Sequence, residues 1–233
     1  MYAWDTRILY SQLGPDGRLS LAGLLDLFQD IATLHAHDFG SGLDVMTENG
    51  RAWLLSRWRV RLGDLPRSAA RVQVRTQAYE SRRALNRRWF SLHDEQGKEL
   101  ACADSLWTLV DIATGAPTSA AQVVERYLEP GEGPDLGDLP RKVQVPQGAA
   151  PGEAFSITDD LLDTNHHVNN VRSVALALRF LPEDVTFSAL AVDYQRPLLP
   201  GQQVQPLVTS TDRGCVVVLT VDGQTCVTAE FIR

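Results

Sequence analysis

Residues 19–39 read LSLAGLLDLFQDIATLHAHDF. Leu21, Leu24, Leu25, Leu27, Phe28, Ile31, Ala32 and Leu34 recur close to the i, i+3, i+4 spacing of a helix buried along one face. Ser20 stands where such a helix needs an N-cap, because its hydroxyl can accept from the free amides of the first turn. The chain then changes period. AWLLSRWRV (52–60), RVQVRTQAYES (71–81), LNRRWFSLHD (85–94) and ELACADSLWTLVD (99–111) are strand-like, and DEQG between the last two supplies hairpin chemistry. One long helix followed by an antiparallel sheet is the expectation for this half.

The second half repeats the plan. NVRSVALALRFLP (170–182) is helical in pattern and is stopped by Pro182. FSALAVDYQRPL (187–198), QQVQPLVTSTD (202–212), GCVVVLTVD (214–222) and QTCVTAEFIR (224–233) follow as strands separated by turn residues. Between the halves, EPGEGPDLGDLPRKVQVPQGAAPGE is rich in Pro and Gly and has little periodicity, as a linker or surface crossover would. The domains expected are therefore 1–128, a linker at 129–152, and 153–233. Laying Asp16 over Asp163 aligns the halves and sets Arg18 over Asn165, Ser20 over His167 and Leu21 over Val168. On that alignment only the second half carries a polar set.

That polar set is DTNHHVNN, residues 163–170. Asp and Asn satisfy amides at helix starts and make Asx turns, so one or two of them need no function. Four such side chains, a Thr and two His exceed what a cap requires. Histidine titrates near physiological pH and suits general acid–base work; Asn and Asp can fix its tautomer, hold a water or polarise a carbonyl. The amides of the helix's first turn would favour a developing oxyanion. Metal binding is the weaker alternative, because adjacent His166 and His167 diverge from a turn and no second His or Cys cluster accompanies them.

Composition bounds the rest. The chain has 233 residues, 44% of them hydrophobic, and a formal net charge of -7, which argues against a general nucleic-acid binder. No apolar run approaches the ~20 residues of a membrane-spanning helix, and MYAWDTRILY lacks the basic and apolar regions of an export signal. A cytoplasmic chain with no membrane partner is expected. Cys102, Cys215 and Cys226 lie in apolar, strand-like contexts without a CxxC, and are expected to be buried thiols in a reducing compartment. Arg57, Arg59 and Arg61 alternate along one strand, while Arg82, Arg83, Arg87 and Arg88 crowd into SRRALNRRW. A solvated face is the plain reading of such a patch, and a docking site for an acidic partner is the functional one.

DTNHHVNNVRS resembles the Asp-x-Asn-x-His-Val-Asn-Asn signature of acyl-acyl carrier protein thioesterases, the plant plastid enzymes and their bacterial relatives. The resemblance extends over nearly the whole chain: DTRILYSQLGPDGRLSLAGLLDLFQDIATLHA is similar to the family's opening strand and helix, RAWLLSRWRVRLGDLPR to its next strand, and SRRALNRRWFSLHDEQGKELACADSLWTLVDIATGAPT to its first sheet. It implies an α+β, tandem (double) hotdog fold, two long helices each packed on an antiparallel sheet. The activity implied is hydrolysis of fatty acyl thioesters on acyl carrier protein, ending chain elongation, with the acyl chain held in the first half. Its catalytic residues would be Asp163, Asn165 and His167, with His166 a bystander. No metal or redox cofactor is implied. The partner implied is acyl carrier protein bearing a phosphopantetheine-linked acyl chain, for which Arg82, Arg83, Arg87 and Arg88 are candidate contacts. A homodimer through a sheet edge or helix face is compatible with the duplication. One departure stands out: where plant members carry a Glu, this chain has Pro197 and then Leu198. Asp193, four residues earlier, is the nominated substitute. Rival readings are an acyl-CoA thioesterase, a non-catalytic acyl-binding protein, and a dehydratase acting on acyl thioesters.

Overall fold

The computed structural model describes residues 1–233 and divides into two compact units. Unit 1 comprises Met1–Ser56 and Val60–Gly137; unit 2 comprises Arg57–Arg59 and Asp138–Arg233.

Unit 1 contains β1 (Tyr2–Arg7), α1 (Leu21–Asp38), α2 (Leu43–Glu48), most of β2 (Arg51–Leu62), β3 (Arg71–Arg82), β4 (Leu85–Asp94), β5 (Glu99–Asp111) and a single turn α3 (Ala121–Val124). Its strands lie in the order β1-β3-β4-β5-β2. The β1–β3, β3–β4 and β4–β5 ladders are antiparallel, and short turns join β3 to β4 and β4 to β5. Ser20 caps α1 as expected, accepting from the Gly23 amide at 3.0 Å. Gly23 is required for a second reason: a Cβ there would sit 2.5 Å from the Gln12 carbonyl oxygen, so the chain before the helix crosses against its bare backbone. The apolar face of α1, with Leu24, Phe28 and Ile31 fully buried, covers the sheet, and Phe28 stacks on Phe90 of β4 at 5.1 Å.

Unit 2 contains β6 (Ala150–Pro151), β7 (Phe155–Ser156), α4 (Asn170–Leu178), β8 (Ala189–Tyr194), β9 (Gln203–Thr211), β10 (Gly214–Val221) and β11 (Gln224–Ile232). Its strand order is β8-β11-β10-β9-β6, with β7 also pairing β9. The helix is nine residues long against eighteen for α1, and the chain leaves it four residues before Pro182. All three cysteines are free and buried.

One ion pair organises the inner part of unit 2. Asp193 of β8 is 4% exposed; its Oδ1 accepts from the Arg59 guanidinium at 2.8 Å and its Oδ2 from the Val143 amide at 2.7 Å. Arg59 also donates to the carbonyls of Pro140, Arg141 and Val192. A buried charge is tolerated only when paired and hydrogen-bonded, and this pair ties the 140–143 segment to the strand. Asp193 is thus fully engaged in holding the fold, and the nomination of this carboxylate as a substitute for the missing Glu is overturned.

Candidate active site

The octamer forms a tight turn entering α4. Leu162 and Val168 bridge antiparallel, and within the turn the Asp163 amide donates to the His167 carbonyl at 2.8 Å and the His166 amide to the Asp163 carbonyl at 3.0 Å. Asp163 Oδ1 accepts from the Asn165 amide at 2.8 Å, an Asx turn that fixes the start of the loop. His166 takes a left-handed conformation, φ 58°, and is exposed. Asn169 then caps α4, its Oδ1 accepting from Val171 at 2.8 Å and more distantly from Arg172. Tyr194 of β8 donates its hydroxyl to the Asn170 carbonyl at 2.9 Å and pins the helix start to the sheet.

Unit 1 builds the same turn with other side chains. There Leu13 and Leu19 bridge, Gly14 donates to the Arg18 carbonyl, Gly17 to the Gly14 carbonyl, and Ser20 to the Gln12 carbonyl, as Asn169 donates to that of Leu161. Leu19 donates to Pro66 as Val168 does to Leu198. These bonds align Gly14 with Asp163, Asp16 with Asn165, Gly17 with His166, Arg18 with His167 and Ser20 with Asn169. The alignment expected from sequence was therefore two residues out of register. Matching the two helix caps, rather than the two aspartates, would have found it. The left-handed φ 72° at Gly17 explains the glycine there, and His166 holds the equivalent conformation at some conformational cost. Arg18, in the place of His167, is paired with Asp64 at 2.6 Å.

The side chains left uncommitted define what the turn can do. The Asn165 carboxamide is exposed and the His167 imidazole half-buried, and neither is used in a hydrogen bond within the unit. Asp163, by contrast, spends one oxygen on the turn. The helix-start amides contribute less than expected, because Asn169 already takes those of Val171 and Arg172. The exposed Asn165 carboxamide is a donor that the turn leaves uncommitted. The Val168–Leu198 bond brings the 195–199 segment against the turn, so the position where a Glu was expected does adjoin the loop; it holds an exposed proline and no carboxylate.

Of the arginines, Arg88 is 4% exposed and faces inward, where it donates to His35 Nδ1 at 2.9 Å and lies over the Tyr127 ring. It is withdrawn as a carrier contact. Arg87 is tied to Asp104 at 2.7 Å and more loosely to Glu80. Arg82 and Arg83 remain exposed at the β3–β4 turn. No group of three or more His, Cys, Asp or Glu side chains is arranged to hold a metal ion, and no helix is long and apolar enough to cross a membrane.

Comparison with known proteins places this geometry. The family model for the acyl-ACP thioesterase N-terminal domain matches residues 1–127. The palmitoyl-acyl carrier protein thioesterase of Gossypium hirsutum chloroplasts is 26% identical over 218 residues, covering 86% of this chain and 53% of that protein. The dodecanoyl-[acyl-carrier-protein] hydrolase of Cinnamomum camphora chloroplasts is 23% identical over 236 residues, covering 91% and 62%. The chain thus spans roughly half to three-fifths of these relatives. Among solved structures, an acyl-ACP thioesterase from Bacteroides thetaiotaomicron superposes with a TM-score of 0.87 at 20% identity, covering 99% of this chain and 96% of that one. The 12:0-ACP thioesterase of Umbellularia californica gives 0.86 at 19%, covering 99% and 96%. These likenesses show the α+β hotdog fold, a helix packed on an antiparallel sheet. The chain belongs to the acyl-ACP thioesterase family.

Proposed function

We propose that this protein hydrolyses fatty acyl thioesters carried on acyl carrier protein, releasing the fatty acid and the carrier thiol. The observation that carries the reading is the pair of unengaged side chains, Asn165 and His167, held at fixed spacing by a turn whose own bonds are all backbone, Asp163 or Asn169. His167 accepts a proton from water as it attacks the thioester carbonyl, and returns one to the departing thiolate. Asn165 donates its amide hydrogens to the carbonyl oxygen, where negative charge develops. Asp163 acts by bracing the Asn165 backbone. Arg82 and Arg83, exposed on a chain that is otherwise net acidic, are the arginines still placed to meet an acidic carrier.

A second reading, acyl binding without hydrolysis, draws on Pro197, since the position where a Glu was expected carries no carboxylate to assist the histidine. One experiment separates them. Thiol release is followed on acyl-carrier-protein and matched acyl-CoA thioesters of several chain lengths, for the wild type and His167→Ala. Turnover that collapses in the folded variant while favouring the carrier substrates supports the proposal. Equal or better turnover of the CoA substrates would move the reading to an acyl-CoA thioesterase, and no turnover on either, with retained acyl binding, to the second reading.

A further inference from the structure

The two turns share a backbone shape but are fastened to their sheets by different means. In unit 1 the residue in the place of His167 does the fastening. Arg18 reaches the segment that leaves β2, donating from Nη1 to Asp64 Oδ1 at 2.6 Å and to the Leu65 carbonyl at 2.8 Å. The Leu19 amide adds a bond to the Pro66 carbonyl at 2.8 Å. One backbone bond and one charged side chain therefore hold that turn against the end of its strand.

Unit 2 keeps the backbone bond, from the Val168 amide to the Leu198 carbonyl at 2.9 Å, and loses the side-chain one. Arg196 stands in the place of Asp64 and donates to Gln224, leaving the His167 imidazole without a partner on the segment that leaves β8. The second fastening comes instead from the Tyr194 hydroxyl, which donates to the Asn170 carbonyl at 2.9 Å. Counting back four residues from Leu198 and from Pro66 pairs Tyr194 with Leu62, each the last residue of its strand. The caps likewise pair Asn170 with Leu21, each the first residue of its helix. Leu62 has no donor, so the bond exists only in the copy whose reactive position is unencumbered.

The tyrosine is suited to the task. Burial keeps its phenol protonated far above the ordinary tyrosine range, so it donates throughout the working pH range. A carbonyl has two lone pairs, so the bond adds to the helix start without displacing the helix's own. Fixed points at Val168 and Asn170 lie on either side of the cap, within three residues of His167.

Resting on the thioesterase reading, we propose that Tyr194 is a positioning residue for hydrolysis: its bond to the Asn170 carbonyl replaces the anchor that the first copy draws from Arg18, and so holds His167 and Asn165 in place while leaving both side chains free for water and thioester. Main-chain bonds set the shape of the turn, and Tyr194 sets where that shape sits.

The test measures kcat and KM per folded molecule on an acyl-carrier-protein thioester for wild type, Tyr194→Phe and Asp64→Asn. Tyr194→Phe keeps the ring and its packing and removes only the donor. Its kcat should fall about tenfold with KM within about twofold, because misplacement of the reacting groups is felt in the chemical step. Asp64→Asn, which breaks the first copy's charged anchor, should keep the wild-type kcat. A folded Tyr194→Phe with wild-type kcat, a change confined to KM, or an equal fall in Asp64→Asn would overturn the inference and leave the thioesterase reading standing. A wild type that hydrolyses no thioester overturns the functional reading, and this one with it.

Discussion

His35 offers a test of the unit 1 core that needs no substrate. A guanidinium carries only donors, so the bond from Arg88 requires His35 Nδ1 to accept and the imidazole to be neutral. Burial, the Arg88 charge and the amino terminus hold its pKa down to about 3, against a smaller opposing pull from Asp38. In the unfolded chain the ring titrates near its ordinary 6.5. Between those values the unfolded state binds a proton that the folded state refuses. This contribution to stability is complete above the unfolded value and is lost as pH falls from there toward the folded one. The slope approaches about 1.4 kcal/mol per pH unit, so lowering the pH by about one and a half units below the unfolded pKa removes about 2 kcal/mol. His35→Gln keeps a side-chain acceptor for Arg88 and abolishes the titration. Urea unfolding of both proteins at a series of pH values isolates the effect, because every other titrating group is common to the two. The wild type should weaken more steeply with acid than the variant, the gap opening by about 2 kcal/mol across that interval. Parallel stability curves would refute the assignment of a neutral, proton-refusing His35.

Three further outcomes follow from packing. Asp193→Asn leaves the Arg59 guanidinium buried without its charge partner and should destabilise by about 3 kcal/mol or more, with thioester turnover per folded molecule retained; unchanged urea stability with lost turnover would put Asp193 back at the chemistry. Gly23→Ala drives a methyl into the Gln12 carbonyl and should lower stability by about 1–3 kcal/mol although alanine is the better helix former, which a thermal melt will show. Asn169→Ala removes the cap of α4 at a cost of about 1 kcal/mol, whereas Asn169→Ser restores most of it, and the two are compared by denaturant midpoint.

What the chain discloses before folding depends on how local the cause is. The 19–39 helix and the strands after it were legible because their apolar residues recur with a period that only one element satisfies. The polar turn was legible because its composition exceeds what a cap needs. Its alignment with the first half was misread, since the cap that sets the register, Asn169, sits in a run where Asp163, Thr164, Asn165 and Asn170 are plausible caps as well. Asp193 and Arg88 were misjudged for another reason. Their burial is decided by partners 134 and 53 residues away, Arg59 and His35, and nothing in the neighbouring sequence distinguishes an inward charge from a solvated one on an alternating strand.

The turn that carries Asn165 and His167 is built twice in this chain, once with those side chains and once without them. In both copies its shape is dictated by main-chain bonds, one left-handed residue, a capping side chain and an aspartate that accepts from a turn amide, and neither Asn165 nor His167 is among the side chains that set it. It behaves as a socket with interchangeable fittings: mutation at the reactive positions is freed from the demands of folding, and folding from the demands of reaction. The silent copy, Gly14 to Ser20, is therefore a ready recipient for a grafted Asp, Asn and His. The same separation lets the first copy hold an Arg18–Asp64 pair where the second holds His167, on the same backbone bonds.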